Sequence, residues 1–144
     1  MEDENIDLKA DLKRLEGFSP VPYRDADGWS IGYGHWAKRK SDLPEAVTVV
    51  EANDFLDQDI EEVEAWLLRR FPEWSGKLTG NCRAVVVNIV FNVGYAGFAP
   101  PGKAFYRLIR AINEGNWQKA GDEIIDSHLA PARAKELAEI MRRG

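Results

Sequence analysis

The sequence predicts an α+β protein, mainly helical, with a small hairpin-bearing lobe near the N-terminus and a larger helical lobe holding most of the core. Three observations carry this. Residues 18–36 crowd two prolines and five aromatic residues around the turn signal Asp25-Ala26-Asp27-Gly28, which is too much punctuation for a helix. From Val49 to Leu67, apolar residues recur at spacings of three and four, the period of a long amphipathic helix. The run RAVVVNIVFNVG is apolar almost all round, which marks a central, buried helix.

The elements follow in order. Residues 6–16 read as a first helix, with Leu8, Leu12 and Leu15 on one face and Gly17 placed to stop it, so that Glu16 is its last residue. Strand-like residues on either side of Asp25-Ala26-Asp27-Gly28 predict a hairpin. Residues 37–47 are a polar loop. Thr48 followed by Glu51 has the spacing of a capping box, and the helix it opens runs through about Arg70, before Pro72. Thr79 is placed to cap the apolar helix and Gly94 to close it, with AGFAPPG as a loop beyond. Helices are then expected from about Lys103 to Asn113, from Trp117 to Ser127, and from Pro131 to the basic end RRG. No internal repeat or long linker interrupts the chain. The expected layout is a single domain: a β-containing lobe over about 17–47, an inter-lobe helix over about 48–70, and a helical lobe over about 71–144 plus the N-terminal helix.

A chain of 144 residues can bury one sizeable core. Its 44% hydrophobic and 30% charged residues are those of an ordinary globular protein. The net charge of −5 gives no support to a nucleic-acid partner or to simple attraction toward an anionic surface. Cys82 is the only cysteine, which excludes an intramolecular disulfide and suits a small apolar filler. The charged N-terminal stretch lacks the apolar centre of a signal peptide, and no run approaches the roughly 18 apolar residues of a membrane span. Folding in a reducing cytoplasm, with no stable membrane association, is the expectation.

The candidate chemistry centres on Glu16 and Asp25. One lies at a helix end and the other at a hairpin, so they can face each other across a cleft. Two carboxylates so placed are what glycoside hydrolysis requires: one protonated to assist the leaving oxygen, one ionised to activate water or attack carbon. Spacing alone is a weak signal, since exposed acids at a helix end and a turn are common. Ser30, on the return strand, either bonds backbone or joins Asp25 in positioning a water. His35 reads as a fixed ring bonded to a carboxylate, with Asp59 the candidate partner. No cysteine cluster or paired-histidine spacing suggests a metal site. The turn lacks the later ligands of a calcium loop, and a serine-hydrolase elbow is missing. Asn88 and Asn92 lie four apart on the apolar helix, suited either to core hydrogen bonds or to a ligand, and Phe91 beside them offers an apolar surface for a sugar.

Taken together, LEGFSPVPYRDADGWSIGYGHW resembles the active-site segment of the phage-type lysozymes, the endolysins of glycoside hydrolase family 24. That family carries a glutamate-glycine at the end of its first helix, an aspartate nine positions later, and a threonine-isoleucine-glycine-x-glycine-histidine strand. Glu16, Asp25, Ser30 and His35 fall on those places. TVVEANDFLDQDI is similar to the family's inter-lobe helix and puts Asp59 on the acid that pairs with the histidine. RAVVVNIVFNVGYAGF is similar to its central helix, and PARAKEL to its final helix, with Arg133 on the arginine that pairs with the catalytic glutamate. This chain has four residues between Asp25 and Ser30 where the family has five, and serine in place of threonine.

The resemblance implies a lysozyme-like fold and a muramidase that cleaves the β-1,4 bond between N-acetylmuramic acid and N-acetylglucosamine without a cofactor or metal. Glu16 would be the general acid, Asp25 the base or electrostatic stabiliser, and Ser30 a holder of water. Trp36, Asn88, Phe91 and Asn92 are expected to meet substrate, and Arg133 with Glu16 and His35 with Asp59 to form ion pairs at the site. The partners implied are peptidoglycan glycan strands and a holin, the state monomeric, and the location the host cytoplasm until lysis, then the periplasm and wall. A lytic transglycosylase, a non-catalytic wall-binding relative and an enzyme acting on chitin-type polymers are the alternatives.

Overall fold

The computed structural model describes residues 7–78, 80–99 and 105–144. They fall into two compact units, residues 7–64 and 65–144.

The first unit opens with α1 (Leu8–Glu16). The Asp7 side chain caps it by accepting the Ala10 N–H at 3.0 Å, and Gly17, at φ +73°, leaves the helical path. Three antiparallel strands follow in meander order: β1 (Ser19–Asp25), β2 (Gly28–Gly32) and β3 (His35–Ala37). The β1–β2 register slips between Ser19 and Tyr23, around Pro20 and Pro22, which have no N–H to give to a ladder. Beyond the slip, Tyr23 faces Ser30 and Asp25 faces Gly28, so the hairpin turns on Ala26 and Asp27 alone. So short a turn forces Ala26 to φ +56°, a conformation that glycine adopts more readily. Ile31, Leu43, Val47 and Ala52 form the buried centre of this unit, with Trp29, Tyr33, Ala37 and Phe55 packed on it.

The long helix α2 (Val49–Arg70) begins with both halves of the capping box in place. The Thr48 N–H donates to Glu51 Oε1 at 2.8 Å, and the Glu51 N–H donates to Thr48 Oγ1 at 3.1 Å. Residues 49–64 belong to the first unit. Lys9 of α1 reaches Asp57 of α2 at 2.8 Å. That ion pair, and the close packing of Glu16 on Gly34, explain one difference from the sequence expectation: the N-terminal helix groups with the sheet, not with the helical residues that follow.

In the second unit, the last turns of α2 lead to a 3-10 turn at Pro72–Trp74 and then to α3 (Gly80–Phe98), α4 (Tyr106–Asn113), α5 (Trp117–Ile125) and α6 (Pro131–Arg142). Cys82, every residue from Val85 to Val90, and Phe98 are buried in α3, as its all-round apolar character requires. Rings of Trp66, Phe71, Trp74, Phe98 and Phe105 pack edge-on or stacked around one end of it. Burial pushes the Cys82 thiol above its usual pKa, which suits an inert filler.

Gly94 does break the helical path, at φ +80° and ψ 166°, but helix resumes after it. Residues 96–98, expected in a loop, are therefore helical, and the Ala99 N–H donates back to Tyr95 O at 3.1 Å. The expected cap Thr79 and the expected helix start at Lys103 lie outside the described residues; α4 is seen from Tyr106. α5 stops at Ile125, two residues short of expectation, and the Ser127 hydroxyl donates to Ile124 O at 2.6 Å beyond its end. No described helix is long and apolar enough to cross a membrane.

Candidate active site

Glu16 is the last residue of α1, and the break at Gly17 leaves its side chain free of a further helical turn. It lies against Gly34, in the link between β2 and β3. A Cβ at Gly34 would stand 2.7 Å from Glu16 Oε1 and 3.1 Å from its Cδ, so the carboxyl occupies space that only glycine leaves open.

Asp25 ends β1 at the hairpin. Its Oδ2 accepts the Ser30 hydroxyl at 2.7 Å, and its backbone carbonyl accepts Trp36 Nε1–H at 3.1 Å. The shorter turn and the missing methyl group thus leave the hydroxyl in reach of the carboxylate. They also leave Ser30 0% exposed. The enclosed hydroxyl is bonded to the Asp25 carboxylate and holds it in place. Trp36 is 45% exposed on β3, an open apolar face beside Asp25.

Tyr23 joins these groups, and sequence reading passed over it. Burial, then the charge of Asp25, then that of Glu16 raise its phenol above the ordinary pKa of 10.0, while hydrogen bonding with Ser30 opposes the rise. Both carboxylates therefore bear on one phenol. A signal for Tyr23 was present in the sequence, since two residues apart on a strand means one shared face with Asp25. Nothing in the pattern pointed to Gly34.

His35, at the start of β3, donates from Nδ1 to Asp59 of α2, with 2.9 Å to Oδ2 and 3.1 Å to Oδ1. Its ring stacks on Phe55, one helical turn before Asp59, at a centroid distance of 4.2 Å. The pair fixes the sheet to α2 within the first unit.

The other expected site residues belong to the second unit. Asn88 of α3 is 2% exposed and its Oδ1 has no hydrogen-bond partner among the described residues. Phe91 is partly buried and Asn92 exposed, although Asn88 and Asn92 are one helical turn apart. Arg133 lies in the first turn of α6 and is partly buried.

Among the described residues, six α-helices and one small antiparallel sheet, with a glutamate at a helix end and an aspartate in the adjoining hairpin, define an α+β protein with its candidate site in the strand-bearing unit. The phage lysozyme family model matches residues 13–143, nearly the whole chain, and the protein belongs to that family, with its lysozyme-like fold. No curated protein matches the sequence. An endolysin-type function goes with the family: a glycosidase whose substrate is peptidoglycan.

Proposed function

We propose that the protein is a muramidase that hydrolyses the β-1,4 bond between N-acetylmuramic acid and N-acetylglucosamine. The observation that carries this reading is the placing of one carboxylate, Glu16, at a helix end against Gly34 and of another, Asp25, in the adjoining hairpin, where Ser30 holds it. Glu16 is the general acid. Its proton goes to the glycosidic oxygen as the C1–O4 bond breaks. Asp25 is the base: a water oxygen bonds to C1 from the opposite face while one of its protons passes to Asp25, giving inversion. Ser30 holds the Asp25 carboxylate in the rotamer that faces that water. Trp36 offers its exposed face to a sugar ring beside Asp25.

In this reading the protein acts as a monomer in lysis of the host cell. It waits in the cytoplasm until a separate holin opens the inner membrane, then degrades the wall. Clearing of purified peptidoglycan by wild type, Glu16→Gln and Asp25→Asn tests the assignment. A positioned general acid contributes about 10²–10⁴-fold, so Glu16→Gln should lose at least about 100-fold. Undiminished clearing by Glu16→Gln would remove the proposal. Activity surviving only in Asp25→Asn would favour a lytic transglycosylase.

A further inference from the structure

We infer that Trp36 is a positioning residue for Asp25: its indole N–H, bound to the Asp25 carbonyl at 3.1 Å, sets where the base stands in the muramidase reaction on which this inference rests. Asp25 ends β1, an edge strand bonded to β2 alone, and is followed by a turn of only two residues. Trp36 holds that strand end from β3, on the far side of β2. Ser30 of β2 is the cross-strand partner of Trp36, and Gly28 lies two residues from Ser30, so the three share one face of the sheet. The indole leans along that face over Gly28: a Cβ there would stand 2.6 Å from Cε2 and closer still to Cζ2. Gly28 is in turn the partner of Asp25, so its missing side chain lets the ring reach the strand beyond. Asp25 is thus held at two points by two residues that face each other. Trp36 takes its backbone carbonyl, and Ser30 donates to its Oδ2 at 2.7 Å.

This hold acts on position more than on stability. Trp36 is 45% exposed, so water can take the place of the N–H at the Asp25 carbonyl and the net loss of bonding is small. Water replaces the bond but not the constraint. A base displaced by a fraction of an ångström meets its water less often in the reactive geometry, which lowers kcat. Sugar affinity rests on the ring face and not on the N–H, so KM is left nearly as it was. Lys38, directly after β3, makes a second link to the same turn, at 2.7 Å from Asp27 Oδ2. Both of its side chains are open to solvent, and the link does not touch Asp25, which makes it the natural control.

The test measures kcat and KM on soluble peptidoglycan fragments for wild type, Trp36→Phe and Lys38→Ala, each at a temperature where circular dichroism shows it folded. Trp36→Phe keeps an apolar ring and loses the N–H, so kcat should fall roughly 10-fold or more with KM within about twofold. Lys38→Ala should keep both constants within about twofold, because an exposed ion pair holds little. An equal fall of kcat in Lys38→Ala would assign the effect to the turn as a whole and overturns the proposal. A raised KM beside wild-type kcat in Trp36→Phe would leave Trp36 as a sugar contact alone and overturns it too. If Trp36→Phe does not fold, the benzothienyl analogue of tryptophan placed at position 36 takes over, with the same expected and contrary results. That analogue keeps the bicyclic shape and carries sulfur where the indole has its N–H. A wild type that releases no glycan fragments removes the muramidase reading and this proposal with it, whereas an active wild type beside an undiminished Trp36→Phe overturns the proposal alone.

Discussion

Replacing Gly34 with alanine separates catalytic geometry from stability. The new Cβ would stand 2.7 Å from Glu16 Oε1, and ordinary contact begins at 3.4 Å, so the carboxylate must retreat by about 0.7 Å. The atom in the way is the far end of a flexible side chain, so the retreat itself costs little stability. The backbone cost is separate: Gly34 sits at φ +82°, where an L side chain adds about 1–2 kcal/mol. A displacement approaching 1 Å of a general acid can cost about 100-fold in rate. Gly34→Ala should therefore melt only a few degrees lower while losing most of its peptidoglycan-clearing activity at a temperature where it is fully folded. Turbidity clearing and circular dichroism on the same samples check both halves. Full clearing by a folded Gly34→Ala would refute the argument that Gly34 positions Glu16.

Ala26→Gly should stabilise the fold by about 0.5–1 kcal/mol, since it relieves the positive φ at some cost in unfolded-chain entropy; denaturant unfolding measures this. Thr48→Ala removes one half of the capping box and should cost about 1 kcal/mol in the same assay. Tyr23 makes stability depend on alkaline pH. Its folded pKa lies above the unfolded 10.0, so from pH 10 upward the unfolded chain sheds a proton that the fold retains, and stability falls until the folded pKa is passed. The difference between wild type and Tyr23→Phe, unfolded below and above pH 10, isolates that loss, which Asp25→Asn should reduce.

Local signals in the sequence were strong wherever one residue decides one backbone feature. Gly17 ended α1 at Glu16, Thr48 and Glu51 formed the box, and Pro131 opened α6, because caps and breakers act within a turn of themselves. The spacing of Asp25 and Ser30 could not foretell how deep the serine would lie. Burial depends on the sheet register and on what covers it, and here a two-residue turn at Ala26-Asp27 sets that register. The depth of Asn88 is a related case: spacing placed it one turn from Asn92, but packing on an almost wholly apolar helix put one inside and the other out. Gly94 ends the apolar helix as expected, but a second helical stretch starts directly beyond it, where a loop was expected. The closeness of Gly34 to Glu16 joins a helix end and a turn that no local pattern connects.

Product analysis of purified peptidoglycan digested in heavy-oxygen water tests the central claim most directly. Wild type should release fragments with ordinary reducing ends that carry one heavy oxygen, taken from the attacking water at C1, and Glu16→Gln should release almost none. Fragments ending in 1,6-anhydromuramic acid, or labelled fragments in undiminished yield from Glu16→Gln, would contradict hydrolysis by the Glu16–Asp25 pair.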